Sequence, residues 1–215
     1  MLYPEVARAL NTMQPGTHAI LVYDSPENKR DVLFAHLKYG QSDAKLAYVC
    51  SEEKPVEVRG EMTREGLDVD GLERKGRLSI ANYDDVYIKN GQFDINGVID
   101  HFSKLAWGCS RQGLKGLRAS AEMSCFVHEK RMVELAEYEH ALGRKFPFPA
   151  IGVCAFNVLE LQKAGYLDRL MPLLMEHGTV ILTGPKGSSV LNSDRVKDTH
   201  VEKVFHVRIS GSSLR

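Results

Sequence analysis

Short apolar runs alternate with helix-forming stretches along this chain, and that alternation constrains its fold more than any other feature. Apolar runs occupy 17–23 (THAILVY), 44–50 (AKLAYVC), 77–81 (RLSIA), 117–125, 150–156 (AIGVCAF) and 179–183 (TVILT). Between them lie stretches with helical patterning at 31–39, 55–65, 93–106, 127–142 and 159–177. Gly40, Gly66 and Gly143 stand at helix ends, where a left-handed residue closes the last turn. Pro172 predicts a kink or a break in the helix over 159–177. Strands that alternate with helices imply βαβ units, hence a mainly parallel sheet with helices on both faces. The run 201–209 alternates in polarity and predicts a final edge strand, and 184–198 reads as a flexible loop. No repeat or linker divides the sequence, so residues 1–215 are expected to form one domain.

Composition narrows the function classes. There are 28 basic and 28 acidic residues, so the formal net charge is zero. That balance argues against direct binding of nucleic acid or an anionic membrane. Four cysteines are present, and no two form a C-x-x-C pair, so neither a zinc knuckle nor a redox motif is expected. Cys50, Cys125 and Cys154 could converge with His18 on a soft metal, but without paired spacing no metal is expected. The N-terminus lacks the basic and apolar regions of a secretory signal, and no apolar run is long enough to span a membrane. The expected location is cytoplasmic.

In an open α/β sheet, ligands bind at the carboxyl ends of the strands. That rule selects Tyr23, Asp24, Ser25 and Lys29 after the first strand, and Ser51, Glu52 and Glu53 after the second. It also selects Glu122, Met123, Ser124 and Cys125, with Arg118 four residues before Glu122 on the same strand face, and then Phe156 and Asn157, and Thr183 and Gly184. Glu52 and Glu53 are expected to polarise a ligand or to pair with Lys29 and Arg118, or else to be a helix-start acid pair before Pro55. Arg118 and Glu122 are expected to pair with each other.

The first turn resembles a phosphate-binding loop that has lost its function. Residues 23–30 read Tyr-Asp-Ser-Pro-Glu-Asn-Lys-Arg, against G-x-x-x-x-G-K-[ST]. Lys29 stands in register. Tyr23 and Asn28 replace both glycines, Arg30 replaces the magnesium-binding hydroxyl, and Pro26 removes a backbone donor. Triphosphate binding is therefore disfavoured. No G-x-S-x-G elbow or H-E-x-x-H motif is present, so no catalytic residues are assigned.

Several longer segments resemble the MEDS domain, the sensory domain of DcmR-type regulators of methylotrophs and methanogens. They are THAILVYDSPENKRDVLFAHLKYG, LAYVCSEEKPVEVRGEMTREGLDVD, GRLSIANYDDVYIKNGQFD, GLRASAEMS, LAEYEHALGRKF, AIGVCAFNVLEL and MEHGTVILTG, in that order over about residues 10–209. The resemblance implies a RecA/KaiC-like three-layer α/β sandwich with a mainly parallel central sheet and a degenerate P-loop. It places Glu52 and Glu53 where KaiC-type proteins carry catalytic glutamates, and Glu122 near the Walker B acid. It also singles out Tyr138 and Glu139, and Tyr87 with the Gly91–Asp94 segment.

The function implied is non-enzymatic. A small, largely apolar organic ligand would bind at the carboxyl end of the sheet, and the signal would pass to a separate kinase or DNA-binding regulator, since no output domain follows in this sequence. A homo-oligomer is expected, as RecA-like proteins form rings. The rival readings are a residual nucleotide binder or ATPase and a pure oligomerisation or docking module. The residues also have plain structural readings. Tyr138 fits the core face of an amphipathic helix with Leu135 and Leu142, Asp94 fits a helix N-cap, and His177 fits a protonated helix C-terminus.

Overall fold

Strand β1 (His18–Tyr23) is buried at every position, as a strand with parallel neighbours on both sides and helices over both faces must be. The computed structural model describes residues 1–209; the last six residues of the expected domain lie outside that range. The chain begins with helix α1 (Pro4–Thr12) and runs through β1 into α2 (Pro26–Lys38), β2 (Lys45–Cys50), α3 (Pro55–Arg64), α4 (Val69–Arg74) and β3 (Leu78–Asn82). Then come α5 (Tyr83–Val86), a small antiparallel pair of β4 (Ile88–Lys89) and β5 (Gln92–Phe93), α6 (Ile95–Gly108) and β6 (Leu117–Glu122). The remainder is α7 (Ser124–His128), α8 (Met132–Leu142), β7 (Ala150–Asn157), α9 (Val158–Lys163), α10 (Leu170–Met175), β8 (Thr179–Gly184), β9 (Gly187–Asn192) and α11 (Asp198–Val204).

The main sheet has the order β3-β2-β6-β7-β1-β8-β9. All neighbours are parallel except β9, which pairs antiparallel with β8. Successive side chains of a strand point to opposite faces, and the two cores follow that parity. On one face Leu21, Tyr23, Leu46, Tyr48 and Val153 pack with Leu33, Leu37 and Met62 from α2 and α3. On the other, Ile20, Val22, Ala121, Cys154 and Phe156 pack with Phe126, Leu135, Tyr138 and Leu174. Each fully buried Leu or Phe stabilises the fold by roughly 1.5–3 kcal/mol before the entropy of ordering it is counted.

Local chemistry sets the helix starts. Ser25 accepts a hydrogen bond from the Asn28 amide at 3.2 Å, and Pro26 begins α2 with φ already suited to a helix. Asp94 caps α6 by accepting from the Gly97 amide at 3.0 Å, as the sequence predicts.

Five expectations are corrected. The helix over 127–142 is two helices, α7 and α8, because Lys130 adopts a left-handed φ of 57° between them. The helix over 159–177 is α9, a 3₁₀ turn (Leu167–Arg169) and α10, interrupted at Gly165 with φ 76°. Pro172 lies in the first turn of α10, where its missing N–H costs little, so it makes no kink. The segment 184–198 is not a loop: it supplies edge strand β9, closed on β8 by a turn in which Gly187 takes φ 124°. The residues assigned to a final strand instead enter α11. Val201, Val204 and Phe205 are all buried, and their i, i+3, i+4 spacing is helical. α1, which buries Val6 and Leu10, carried no expectation.

Candidate functional site

The carboxyl ends of β1, β2 and β6 meet over the start of α2, and the ionisable residues there form one cluster. Lys29 leaves the first turn of α2 and is fully buried. Its Nζ lies 2.9 Å from Glu52 Oε2, 2.9 Å from Glu53 Oε2 and 2.8 Å from Glu122 Oε1. An ammonium group has three N–H donors, and here three carboxylates surround it. Arg30 pairs with Glu53 from the rim and lies 3.5 Å from Glu61.

Each carboxylate has further partners. Glu122, at the last position of β6, accepts from Tyr48 Oη at 2.7 Å and from the backbone N–H groups of Ser51 and Glu52, each at 2.7 Å. Ser51 Oγ donates in turn to the Glu122 carbonyl at 3.0 Å. One buried acid thus pins the whole turn after β2. Glu52 accepts from Tyr23 Oη and, at 2.5 Å, from Ser124 Oγ.

Burial alone would push Glu52 and Glu53 toward their neutral forms. Lys29, with Ser124 and Tyr23 for Glu52 and with Arg30 for Glu53, outweighs it, so both carboxyls are held below the usual range. Burial likewise opposes the Lys29 charge, but Glu122 and Glu52 more than compensate and its pKa is raised. Tyr23 and Tyr48 are pushed well up, by burial first and then by the glutamates. Two cations, Lys29 and Arg30, face three carboxylates, so an incoming anion meets a net negative charge.

The loop itself is no phosphate cradle. Asp24 accepts from the Asn28 side-chain amide at 2.7 Å, and Ser25 occupies the cap that would otherwise leave amides free for an anion.

Of the residues selected from the sequence, Tyr23, Lys29, Glu52, Glu53 and Glu122 meet directly, and Asp24 and Ser25 form the adjoining turn. Arg118 does not join them. It shares a face with Glu122 but lies toward the other end of β6, where it donates to the His36 carbonyl at 3.0 Å and the Leu10 carbonyl at 3.4 Å. The expected pairs of Arg118 with Glu122, Glu52 and Glu53 therefore do not form; two residues per 6–7 Å of strand separate the partners too far along the axis. Met123 and Phe156 are buried in the core. Asn157 caps α9, accepting from the amides of Leu159 at 3.0 Å and Glu160 at 3.3 Å.

Ser51 and Ser124, which the strand-end rule also selects, join the cluster through Glu122 and Glu52; Tyr48 was not selected from the sequence. Strand parity was the available signal for Tyr48: it is in phase with Leu46 and Cys50 on the face that carries Lys29.

Tyr138 belongs to the other face. With Tyr87, Phe102, Phe146 and Phe148 it walls an apolar cavity of about 40 Å³ against Ala119, Ala121 and Gly152 of β6 and β7. One ordered water needs roughly 10–15 Å³ by the same kind of measure, so a molecule of a few heavy atoms fits. The small strand residues make the space. A Cβ at Gly152 would stand 2.8 Å from the Phe146 ring. Tyr87 and Tyr138 contact edge to face, with ring centroids 5.9 Å apart.

Cys50 and Cys125 stay buried away from His18, and burial pushes both thiols up to about 12. Cys154 alone approaches His18, at 3.6 Å. His177 is buried rather than protonated at a helix end; burial, then the neighbouring His18, lowers its pKa to about 3.

A seven-stranded, mostly parallel sheet of this order with a core on each face defines an α/β protein, here with an ion cluster at the strand ends. The chain belongs to the MEDS family, the methanogen/methylotroph DcmR sensory domain, whose profile matches residues 17–170. The fold is shared with solved structures from Pyrococcus horikoshii. The protein PH0250 aligns over 95% of this chain and 98% of its own, with a TM-score of 0.60 at 12% identity. An uncharacterized protein, PH0321, solved with an unknown peptide, aligns over 87% and 88% with a TM-score of 0.55 at 17% identity. The KaiC-like protein PH0186 aligns over 78% and 71% with a TM-score of 0.50 at 14% identity. No curated protein sequence matches the chain. Among the described residues, no helix is long and apolar enough to cross a membrane.

Proposed function

We propose that this chain acts as a single sensory domain whose ligand is a small, largely apolar organic molecule held in the cavity between β6, β7, α6 and α8. The observation that carries this reading is the aromatic wall of Tyr87, Phe102, Tyr138 and Phe146 over a floor of Ala119, Ala121 and Gly152. Such a lining offers dispersion and ring-edge contacts to an apolar guest and few hydrogen bonds to a polar one. Of the ligand residues selected from the sequence, Tyr138 lines this cavity, while the Lys29 cluster holds the strand ends together on the opposite face of the sheet.

Signalling then needs a structural consequence of binding. The cavity lies under α8 and α6, so a guest that fits one packing of these helices better than another shifts their populations. A separate kinase or DNA-binding regulator would read that change, with self-association of the chain as the alternative output.

The rival reading, a residual nucleotide binder, draws on Lys29 standing in register and on Glu122 at the end of β6. It must break three ion pairs to free the ammonium. A thermal-shift comparison separates the two. Small haloalkanes, thiols, alcohols and methylated amines form one arm, and magnesium ATP, ADP and GTP form the other. Stabilisation in the first arm, abolished by the cavity-filling change Ala121→Leu, supports the sensor. Stabilisation by magnesium nucleotides alone overturns it.

A further inference from the structure

Four side chains from four separate elements converge in the interior at the amino-terminal end of the sheet: His18 of β1, Glu139 of α8, Cys154 of β7 and His177 just after α10. All four are buried, and one potential ligand atom from each lies within 4.8 Å of every other. Glu139 Oε2 lies 3.2 Å from His18 Nε2 and 3.4 Å from His177 Nε2, and His18 Nε2 lies 3.6 Å from Cys154 Sγ.

The imidazole tautomers are fixed from outside. His18 Nδ1 lies 2.7 Å from the Gly143 carbonyl, and His177 Nδ1 lies 2.8 Å from the Leu173 carbonyl. A carbonyl oxygen only accepts, so each Nδ1 carries a proton, and Nε2 is the ring nitrogen that each histidine turns inward toward Glu139. Among the described residues, neither Glu139 oxygen nor His177 Nε2 has an aligned hydrogen bond. A buried carboxylate without aligned hydrogen bonds is costly unless something positive partners it.

We infer that these four side chains form a binding site for one divalent cation of the zinc class. The donor set, two imidazole nitrogens, one carboxylate oxygen and one sulfur, suits a borderline-soft ion. A tetrahedron with Zn–N and Zn–O near 2.0–2.2 Å and Zn–S near 2.3 Å places its ligand atoms ~3.3–3.6 Å apart, close to the His18–Glu139, His177–Glu139 and His18–Cys154 separations, and the set as a whole, within 4.8 Å, closes by small side-chain shifts. Backbone carbonyls that orient both histidines are the outer-shell partners that metal-bound imidazoles use. Binding converts the Cys154 thiol to a metal-bound thiolate and releases its proton to solvent; no electron is transferred. The ion would tie the start of β1 to α8, β7 and the end of α10. This inference is independent of the cavity ligand, because it is read with the metal alone.

The test uses the full chain, unfolded with a chelator and refolded with zinc, cobalt(II) or neither. The expected result is one equivalent of zinc per chain by elemental analysis and a rise of several degrees in melting temperature. Cobalt should give intense ligand-field bands of tetrahedral type with a thiolate charge-transfer band. Cys154→Ala should remove the charge-transfer band, while Cys50→Ala should keep it. If Cys154→Ala does not fold, the wild-type cobalt spectrum and stoichiometry decide the matter. No uptake by the refolded wild-type chain would overturn the inference, as would nitrogen-15 spectra showing a stable imidazolium at His18 or His177 in excess zinc.

Discussion

Lys29 Nζ lies 2.8 Å from Glu122 Oε1, and neither side chain reaches solvent. Glu52 and Glu53 also reach the ammonium, and Arg30 offsets part of the excess negative charge. Together these contacts lock α2 to β6 and to the turn after β2.

The first prediction concerns that lock. Lys29→Met removes the cation and leaves Glu122 and its neighbours crowded together. Breaking a buried ion pair from one side typically costs about 3–5 kcal/mol. Urea denaturation should show a loss of that size, and adding Glu122→Gln to Lys29→Met should recover part of it. Equal stability of Lys29→Met and wild type would mean the cluster contributes nothing net.

The second concerns pH. Glu52 and Glu53 titrate lower in the folded chain than their ordinary value of 4.5. The unfolded state therefore binds protons first as pH falls, so their contribution is complete above about 4.5 and is lost through the folded values below it. Lys29 is shifted the other way, so its contribution is complete below its ordinary 10.5 and fades at higher pH. His177, lowered from 6.5 to about 3, makes the unfolded chain take up a proton first below about pH 6.5, and the Cys50 and Cys125 thiols, raised from 9.0 to about 12, make it lose protons first above about pH 9. Melting temperature should therefore be highest between these limits, decline gently on either side, and fall more steeply below 4.5 and above 10.5. The Glu52→Gln, Glu53→Gln double variant should show a shallower acid limb; an unchanged limb would contradict the assignment.

Much of this was legible in the sequence, and the boundary has physical causes. Parallel strands such as β1 and β7 are buried on both faces and read as continuous apolar runs. The edge β9 was missed because its residues are polar and half-buried, a pattern shared with loops. The strand-end rule finds Lys29, Glu52 and Glu122 because backbone geometry fixes which residues leave the sheet at that end. It also admits Arg118, because parity gives the face and not the distance along it. The His18–Glu139–Cys154–His177 cluster is spread over about 160 positions and has no local spacing, so only the fold assembles it.

A third prediction tests how the cavity is kept open. Gly152→Ala places a methyl group against the Phe146 ring, which must move. Overpacking of this kind costs roughly 1–3 kcal/mol. Chemical denaturation should report that loss, and the displaced ring should reduce stabilisation by any cavity guest. A variant as stable as wild type would show that Phe146 is free to yield.

The fourth is local. Asp94→Ala removes the cap of α6, the helix over one wall of the cavity, and should lower stability by about 1 kcal/mol. Asp94→Asn, which can still accept the Gly97 amide, should behave close to wild type. Equal losses in both variants would point to charge rather than capping.

The most direct test of the sensory reading is methyl NMR of the full chain titrated with the small apolar panel and, separately, with magnesium ATP. The account predicts shifts concentrated on Ala119, Ala121 and Leu142 with at least one apolar compound, and no shifts around Tyr23–Lys29 with nucleotide. Shifts at the start of α2 with magnesium ATP, together with silence at the cavity methyls across the panel, would contradict it.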